Sequence, residues 1–244
     1  MLFSFSFLIP IFVGFVYEET SINVFISLMI GIFLVGCCSW IFTRKDGSDL
    51  SLSDGFIITV LFWLVVSLFG ALPFYFLGFS FVDSLFESMS GITTTGATVF
   101  SGLDELDRSV LIYRQLLQWM GGMGLIVLAI AVMPLLGIGG GQLFKTQTPG
   151  AMSNQKLTPR ITNTARALWL IYLGLTILCL SSYKLAGMSF FDSFAHALST
   201  VSIGGFSTHD ASIGFFNNIN IEIVCMVFMI LSAINFSLHY GLIY

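Results

Sequence analysis

SGITTTGATVF, Ser90 to Phe100, stands between two strongly apolar stretches and gathers four threonines and two glycines into one short run. LSTVSIGGFST, Leu198 to Thr208, repeats the anomaly further along. The backbone at these two places decides the fold, and the composition around them names the solvent. Of 244 residues, 56% are hydrophobic and 9% charged, with a mean hydropathy of +0.95. A soluble domain carries about 25% charged residues, so the solvent here is lipid.

Crossing about 30 Å of hydrocarbon at 1.5 Å per residue takes roughly 20 apolar residues. Apolar runs near that length cover Leu2 to Tyr17, Val24 to Thr43, Phe56 to Gly78, Val110 to Leu136, Ala165 to Leu185 and Ile219 to Tyr244. The first is short and has no basic residue ahead of it, so it reads as a retained membrane helix and not as a cleaved signal peptide. Arg44, Lys45, Lys145, Lys156, Arg160 and Arg166 fall after the second and fourth runs. Glu18, Glu19, Asp104, Glu105 and Asp107 fall on the other side, with Arg108, Arg114 and Lys184 near that outer face. The positive-inside rule then makes the first set cytoplasmic and the N-terminus cytoplasmic with it.

Several function classes drop out. The net charge of −4 and pI near 5.2 offer no basic stripe for nucleic acid. Cys37, Cys38, Cys179 and Cys225 lie inside apolar runs without zinc or disulfide spacing, and His196, His209 and His239 never approach metal-ligand spacing. No transition-metal site, nucleophile–base pair or cofactor fingerprint appears, so the reading is transport and not catalysis. GIGGG, Gly137 to Gly141, lacks the Lys-Ser/Thr of a P-loop and reads as a linker. Gly121, Gly122 and Gly124 read as close helix packing. Asn235 faces a partner helix or a pore, because lipid would leave its amide unsatisfied.

SFVDSLFESMSGITTTGATVF (Ser80 to Phe100) lies over SFFDSFAHALSTVSIGGFSTH (Ser189 to His209) without a gap, pairing Ser80, Asp83, Ser90 and Gly96 with Ser189, Asp192, Ser199 and Gly205. A long apolar run precedes and follows each copy. Each unit is therefore helix, short re-entrant segment, helix, and the repeat organises the whole chain. Asp83 and Ser84 are expected to cap the first short helix, with Glu87 completing a capping box, and Asp192 and Ser193 the second. Such a helix is too short to span the bilayer, so it enters, stops and returns. Non-helical backbone at that depth must line a wet cavity or be buried in protein. Gly96 and Gly205 permit positive φ, and inward carbonyls replace the hydration shell of a potassium-sized cation. TTTGAT and its counterpart thus read as pieces of a selectivity filter, with Thr93 and Ser202 in support. Asp83, Glu87, Asp104, Glu105, Asp107, Asp192 and Asp210 gather on the outer side as a solvated rim or a cation-concentrating funnel.

The chain resembles the Trk/Ktr/HKT superfamily of potassium transporters, specifically its TrkH/TrkG-like membrane subunits. SGITTTGATVFSGLDEL, RQLLQWMGGMGLIVLAIAVMPLLGIGGGQLFKTQTPG, KLTPRITNTARALWLIYLGLT and STVSIGGFSTHDASIGFF carry the likeness. The resemblance implies an all-α membrane protein with a pseudo-fourfold, cation-channel-like fold. An N-terminal helix pair would occupy 1–52 and a first helix–pore-helix–helix repeat 53–137, with its pore loop at 80–100. A cytoplasmic connector would follow at 138–163 and a second repeat at 164–244, with its pore loop at 189–209. It places backbone ligands for potassium at Thr94, Thr95 and Gly96 and at Ile203, Gly204 and Gly205. It implies a bacterial cytoplasmic membrane, potassium as the transported ion and no cofactor in this chain. It further implies a homodimer and a cytoplasmic TrkA-like, nucleotide-binding regulatory subunit docked on loops such as 137–163. Family chains are about twice as long, so the likeness covers two of four repeats. Two readings follow: potassium uptake, or a truncated, non-conducting membrane assembly module.

Overall fold

The computed structural model describes residues 1–43, 52–132, 157–234 and 239. Among these, all regular structure is helical. A 3₁₀ turn, Leu2–Phe7, leads into α1 (Leu8–Val16), followed by α2 (Ile22–Thr43), α3 (Leu52–Phe76), the short α4 (Phe81–Ile92) and α5 (Arg108–Val132). The second half holds α6 (Leu157–Leu185), the short α7 (Phe190–Val201) and α8 (Ile219–Ala233), with 3₁₀ turns at Leu103–Glu105 and Ser212–Phe216. Helices long and apolar enough to cross a bilayer cover Ile22–Thr43, Thr59–Phe76 and Arg166–Leu185. Their exposed Ile, Leu, Val and Phe side chains suit hydrocarbon and not water.

Helix–helix association in lipid gains little from apolar burial and relies on close packing and polar ties. Tyr113 of α5 supplies both on the N-terminal side. Its ring centroid lies 5.5 Å from Phe7, 5.4 Å from Phe25 and 5.3 Å from Phe74, and its hydroxyl donates to the Gly70 carbonyl at 3.0 Å. The leading turn, α2 and α3 thereby meet on one residue of α5. Glu19, between α1 and α2, accepts from the backbone N–H of Arg108 at 2.7 Å and of Ser109 at 2.9 Å. An anion at these otherwise unpaired donors is favoured by the helix dipole. The same contact sets the Glu18–Glu19 loop and the start of α5 on one side of the protein.

The two units repeat in space. In each, the short helix packs against the long helix before it, α4 on α3 and α7 on α6. α5 lies between the units, touching α4, α6 and α7. Gly121 makes this approach possible: an ideal Cβ there would fall 1.9 Å from the Ile92 carbonyl oxygen at the end of α4. Trp119 Nε1 donates to Thr176 Oγ1 at 3.0 Å, and Tyr172 Oη donates to the Trp119 carbonyl at 3.0 Å, tying α5 to α6.

The cap expectation needs correction. Ser80 and Ser189 are the N-caps, accepting from the N–H of Asp83 at 3.1 Å and of Asp192 at 3.0 Å. Each serine hydroxyl donates back to the same aspartate at 2.7 Å. Asp83 and Asp192 are thus third-position partners in the cap. Ser84 and Ser193 lie inside the helices, buried. An Asp and a Ser that adjoin in sequence cannot both sit at the cap, and the serine three residues upstream takes it. α6 begins at Leu157, inside the expected connector, with Pro159 tolerated in its first turn. GIGGG, Lys145, Lys156 and Asn235 lie outside the described residues.

Candidate functional site

Each short helix ends in the same six-residue turn. In the first repeat, Thr94 N–H donates to Gly91 O and Thr95 N–H to Ser90 O, both at 2.9 Å. In the second, Ile203 N–H donates to Thr200 O at 3.0 Å and Gly204 N–H to Ser199 O at 2.8 Å. These paired bonds are the Schellman helix ending, which requires a left-handed residue, usually glycine. Here Thr94 and Ile203 fill it, each at φ 56°. A β-branched residue in that region is strained by roughly 1–3 kcal/mol, and such strain concentrates at functional sites. Two residues on, Gly96 and Gly205 are left-handed again, at φ 76° and 83°.

Peptide planes convert these bonds into carbonyl directions. Among the described residues every peptide is trans, so N–H and C=O point to opposite sides. The N–H groups of Thr95 and Gly204 point back into their helices, so the Thr94 and Ile203 carbonyls point out. Phe206 N–H donates to Gln118 Oε1 at 3.1 Å, so the Gly205 carbonyl points away from α5.

The two turns meet. An ideal Cβ on Gly96 would fall 1.9 Å from the Gly204 carbonyl oxygen and 3.7 Å from Gln118 Nε2. Only glycine fits at 96, for space as well as for φ. Thr93, Thr95, Ile203 and Gly205 are exposed, Thr94 and Gly96 half-buried, Ser202 and Gly204 buried.

Behind the turns lies a polar cluster. Arg114 and Glu87, both with fully inaccessible side chains, pair at 2.7 Å. Arg114 also donates from Nη1 to the Ser207 carbonyl at 2.9 Å and from Nη2 to Thr98 Oγ1 at 3.1 Å. Its guanidinium lies 4.4 Å from the Phe206 ring centroid and 5.9 Å from that of Phe100. Glu87 accepts from Thr98 Oγ1 at 2.8 Å and from Val99 N–H at 3.2 Å. Glu87 therefore belongs neither to a capping box nor to a solvated rim. Desolvation of a carboxylate is offset when a charge and hydrogen-bond donors surround it. In the second repeat His196 stands in its place: Nδ1 donates to the Asp192 carbonyl at 2.9 Å and Nε2 lies 2.9 Å from Ser207 Oγ. Thr98 Oγ1 and Ser207 Oγ each accept an N–H from two residues on, Phe100 and His209 respectively, at 3.1 Å. One structural role is filled by two chemistries.

On the outer face the loops of the two repeats interlock. Leu103 N–H donates to Asp210 at 3.1 Å, Asp210 N–H to Asp104 at 3.4 Å, and the His209 ring bonds the Asp104 carboxylate. This hydrogen bond holds the Asp104 carboxyl below the usual carboxylate range. Thr208 Oγ1 donates to Asp192 Oδ1 at 2.8 Å. Among the described residues no cluster of His, Cys, Asp and Glu is suited to a metal ion.

The sequence reading missed the left-handed Thr94 and Ile203, the Glu87–Arg114 pair and Gln118. The signal for Arg114 and Gln118 was present. Arg114, Gln115 and Gln118 interrupt an apolar run, and polar residues inside a membrane segment are retained for pairing or for a pathway.

Helix, capped short helix with a left-handed ending, helix, used twice: this is a pore-loop membrane protein. The TrkH family model, described as a cation transport protein, matches residues 20–244. The chain is 48% identical over 243 residues to the Trk system potassium uptake protein TrkH of Vibrio parahaemolyticus, covering 98% of this chain and 50% of that protein. It is 48% identical over 242 residues to the potassium uptake protein TrkG of Escherichia coli, with the same coverage. The crystal structure of the potassium transporter TrkH from Vibrio parahaemolyticus superimposes with a TM-score of 0.86 at 46% identity, over 98% of this chain and 48% of that one. The chain belongs to the TrkH family. It spans about half the length of the curated relatives it matches.

Proposed function

We propose that the chain contributes two of the carbonyl-bearing segments of a potassium-selective pore in a bacterial cytoplasmic membrane. The observation that carries this reading is the outward turn of the Thr94, Ile203 and Gly205 carbonyls beside the Gly96–Gly204 contact. An ion leaving water must find its lost ligands at once, and oriented backbone dipoles supply them without reorganisation. The C-terminal ends of α4 and α7 add partial negative charge at the same place. Thr94, Thr95, Gly96, Ile203, Gly204 and Gly205 are the proposed ligands, with Thr93 and Ser202 supporting them. The division into an N-terminal pair (1–52), two pore repeats (53–137 and 164–244) and a cytoplasmic connector (138–163) belongs to the same reading. So do a cytoplasmic N-terminus, a homodimer and a nucleotide-binding TrkA-like partner on the connector side. The naming of the relatives as potassium uptake proteins supports the choice of ion.

The test is rubidium and sodium uptake in potassium-auxotrophic cells expressing the complete gene product that contains this chain. Gly205 has open space around its Cα but a φ of 83°. Gly205→Ser therefore strains the turn without a clash, and potassium-over-sodium discrimination should fall while membrane abundance holds. Unchanged discrimination removes Gly205 from the filter. Membrane expression of the complete gene product without uptake supports an inert assembly module instead.

A further inference from the structure

We infer that Gln118, on the outgoing helix of the first repeat, is a positioning residue that sets the ion-facing carbonyl of the second. This rests on the filter reading above and assigns a determinant of selectivity outside the filter. Gln118 is fully buried, and its Oε1 accepts the Phe206 N–H at 3.1 Å. A backbone N–H only donates, so the amide oxygen must face it, which fixes the amide's orientation. The peptide that gives this N–H also carries the Gly205 carbonyl. Holding one end of a rigid plane aims the other.

The neighbours fit that role. An ideal Cβ on Gly204 would fall 2.3 Å from Gln118 Cδ and 2.4 Å from Oε1. Gly204 is not among the residues with positive φ, so glycine there serves the close approach of the Gln118 amide and not a special backbone shape. Gln118 Nε2 reaches the other turn, 3.7 Å from an ideal Cβ on Gly96. One helical turn earlier on the same face, Arg114 holds the Ser207 carbonyl. α5 thus grips two consecutive stretches of the second turn, across the boundary between repeats. α8, in the corresponding place after the second turn, contains neither arginine nor glutamine.

Without the acceptor, Phe206 N–H would be a buried donor with no partner, since Phe206 is itself buried. Such a group seeks another acceptor, and rotation of the plane takes the Gly205 carbonyl out of line. Gln118→Met keeps length and removes the amide oxygen. Gln118→Glu keeps an oxygen for the N–H. In the complete gene product, Gln118→Met should lower the rubidium-to-sodium uptake ratio by about tenfold at unchanged membrane abundance, and Gln118→Glu should restore most of it. If Gln118→Met keeps the ratio while Gly205→Ser loses it, the inference is overturned and the filter reading survives. If both keep it, the filter reading itself has failed. Should Gln118→Met not reach the membrane, the smaller Gln118→Asn, too short for the same bond, should show the same loss. If neither reaches it, Gln118 is a folding residue and the proposal is wrong.

Discussion

A guanidinium buried behind the proposed cation path would be a hazard unless neutralised, and Glu87 pairs with Arg114 at 2.7 Å. Removing one partner of a buried pair strands the other charge and costs about 3–5 kcal/mol, whereas apolar or neutral replacement of both is often tolerated. The two single changes should differ in kind. Glu87→Gln leaves an uncompensated cation bonded to Ser207 and Thr98, so it should lower both thermal stability and cation uptake. Arg114→Met leaves a carboxyl that can take up a proton, so it should lower stability with a smaller effect on uptake. The double change should recover part of the stability. Thermal unfolding of the detergent-purified variants beside rubidium uptake checks this, and equal uptake losses in both single variants would separate the pair from the ion path. Glu87 also shows where sequence reading stops. The Ser84–Glu87 spacing matches a capping box, but Ser80 takes the cap and the partner of Glu87 lies on another helix, and a single sequence carries no distance between them.

Caps, turns and loops were legible to different depths. The short helices, their place between long ones and their register across the repeat follow from hydrophobic run lengths and from the aligned Ser, Asp and Gly positions. The left-handed Thr94 and Ile203 did not, because glycine is the usual mark of that conformation and β-branched residues argue against it. The outer clasp was equally hidden: Asp104 and Asp210 read as part of a solvated rim or cation-concentrating funnel, yet with His209 they join the loops of the two repeats. Asp104 has its carboxyl held below the ordinary value of about 3.9 by the His209 hydrogen bond. A depressed carboxyl stabilises the folded state above its unfolded pKa, and that contribution disappears as pH falls through the folded one. Asp104→Asn should therefore be slightly less stable than the unmodified protein at pH 7, with the two curves converging in acid as pH falls through the lowered, folded-state value. The effect should be small, because exposed pairs contribute little. A difference that persists at the acid end would mean that the contribution of Asp104 does not depend on its charge.

In the proposed filter, the two turns would enclose an ion on one side only. Thr93, Thr95, Ile203 and Gly205 are exposed, Ile203 by 46%, and the Thr94 and Ile203 carbonyls point out of their turns. In hydrocarbon such carbonyls would remain unsatisfied, which lipid-facing backbone does not tolerate. In water they would meet full competition for the ion. A closed ring resolves both conditions, and the relatives, about twice as long as the 244 residues here, have the length for two further units. Residues 1–244 expressed alone should therefore reach the membrane of potassium-auxotrophic cells and give rubidium uptake near background. Joined to the C-terminal half of the Vibrio parahaemolyticus relative, the same residues should restore uptake and growth at low potassium. The Tyr113 cluster and the α5–α6 ties join residues that all belong to 1–244, and membrane abundance serves as the control for folding in either setting. A chimera that is abundant in the membrane and silent would separate these turns from any ion path. Uptake by residues 1–244 alone would mean instead that two copies close the ring between them, which crosslinking of cysteines introduced at Thr95 would reveal.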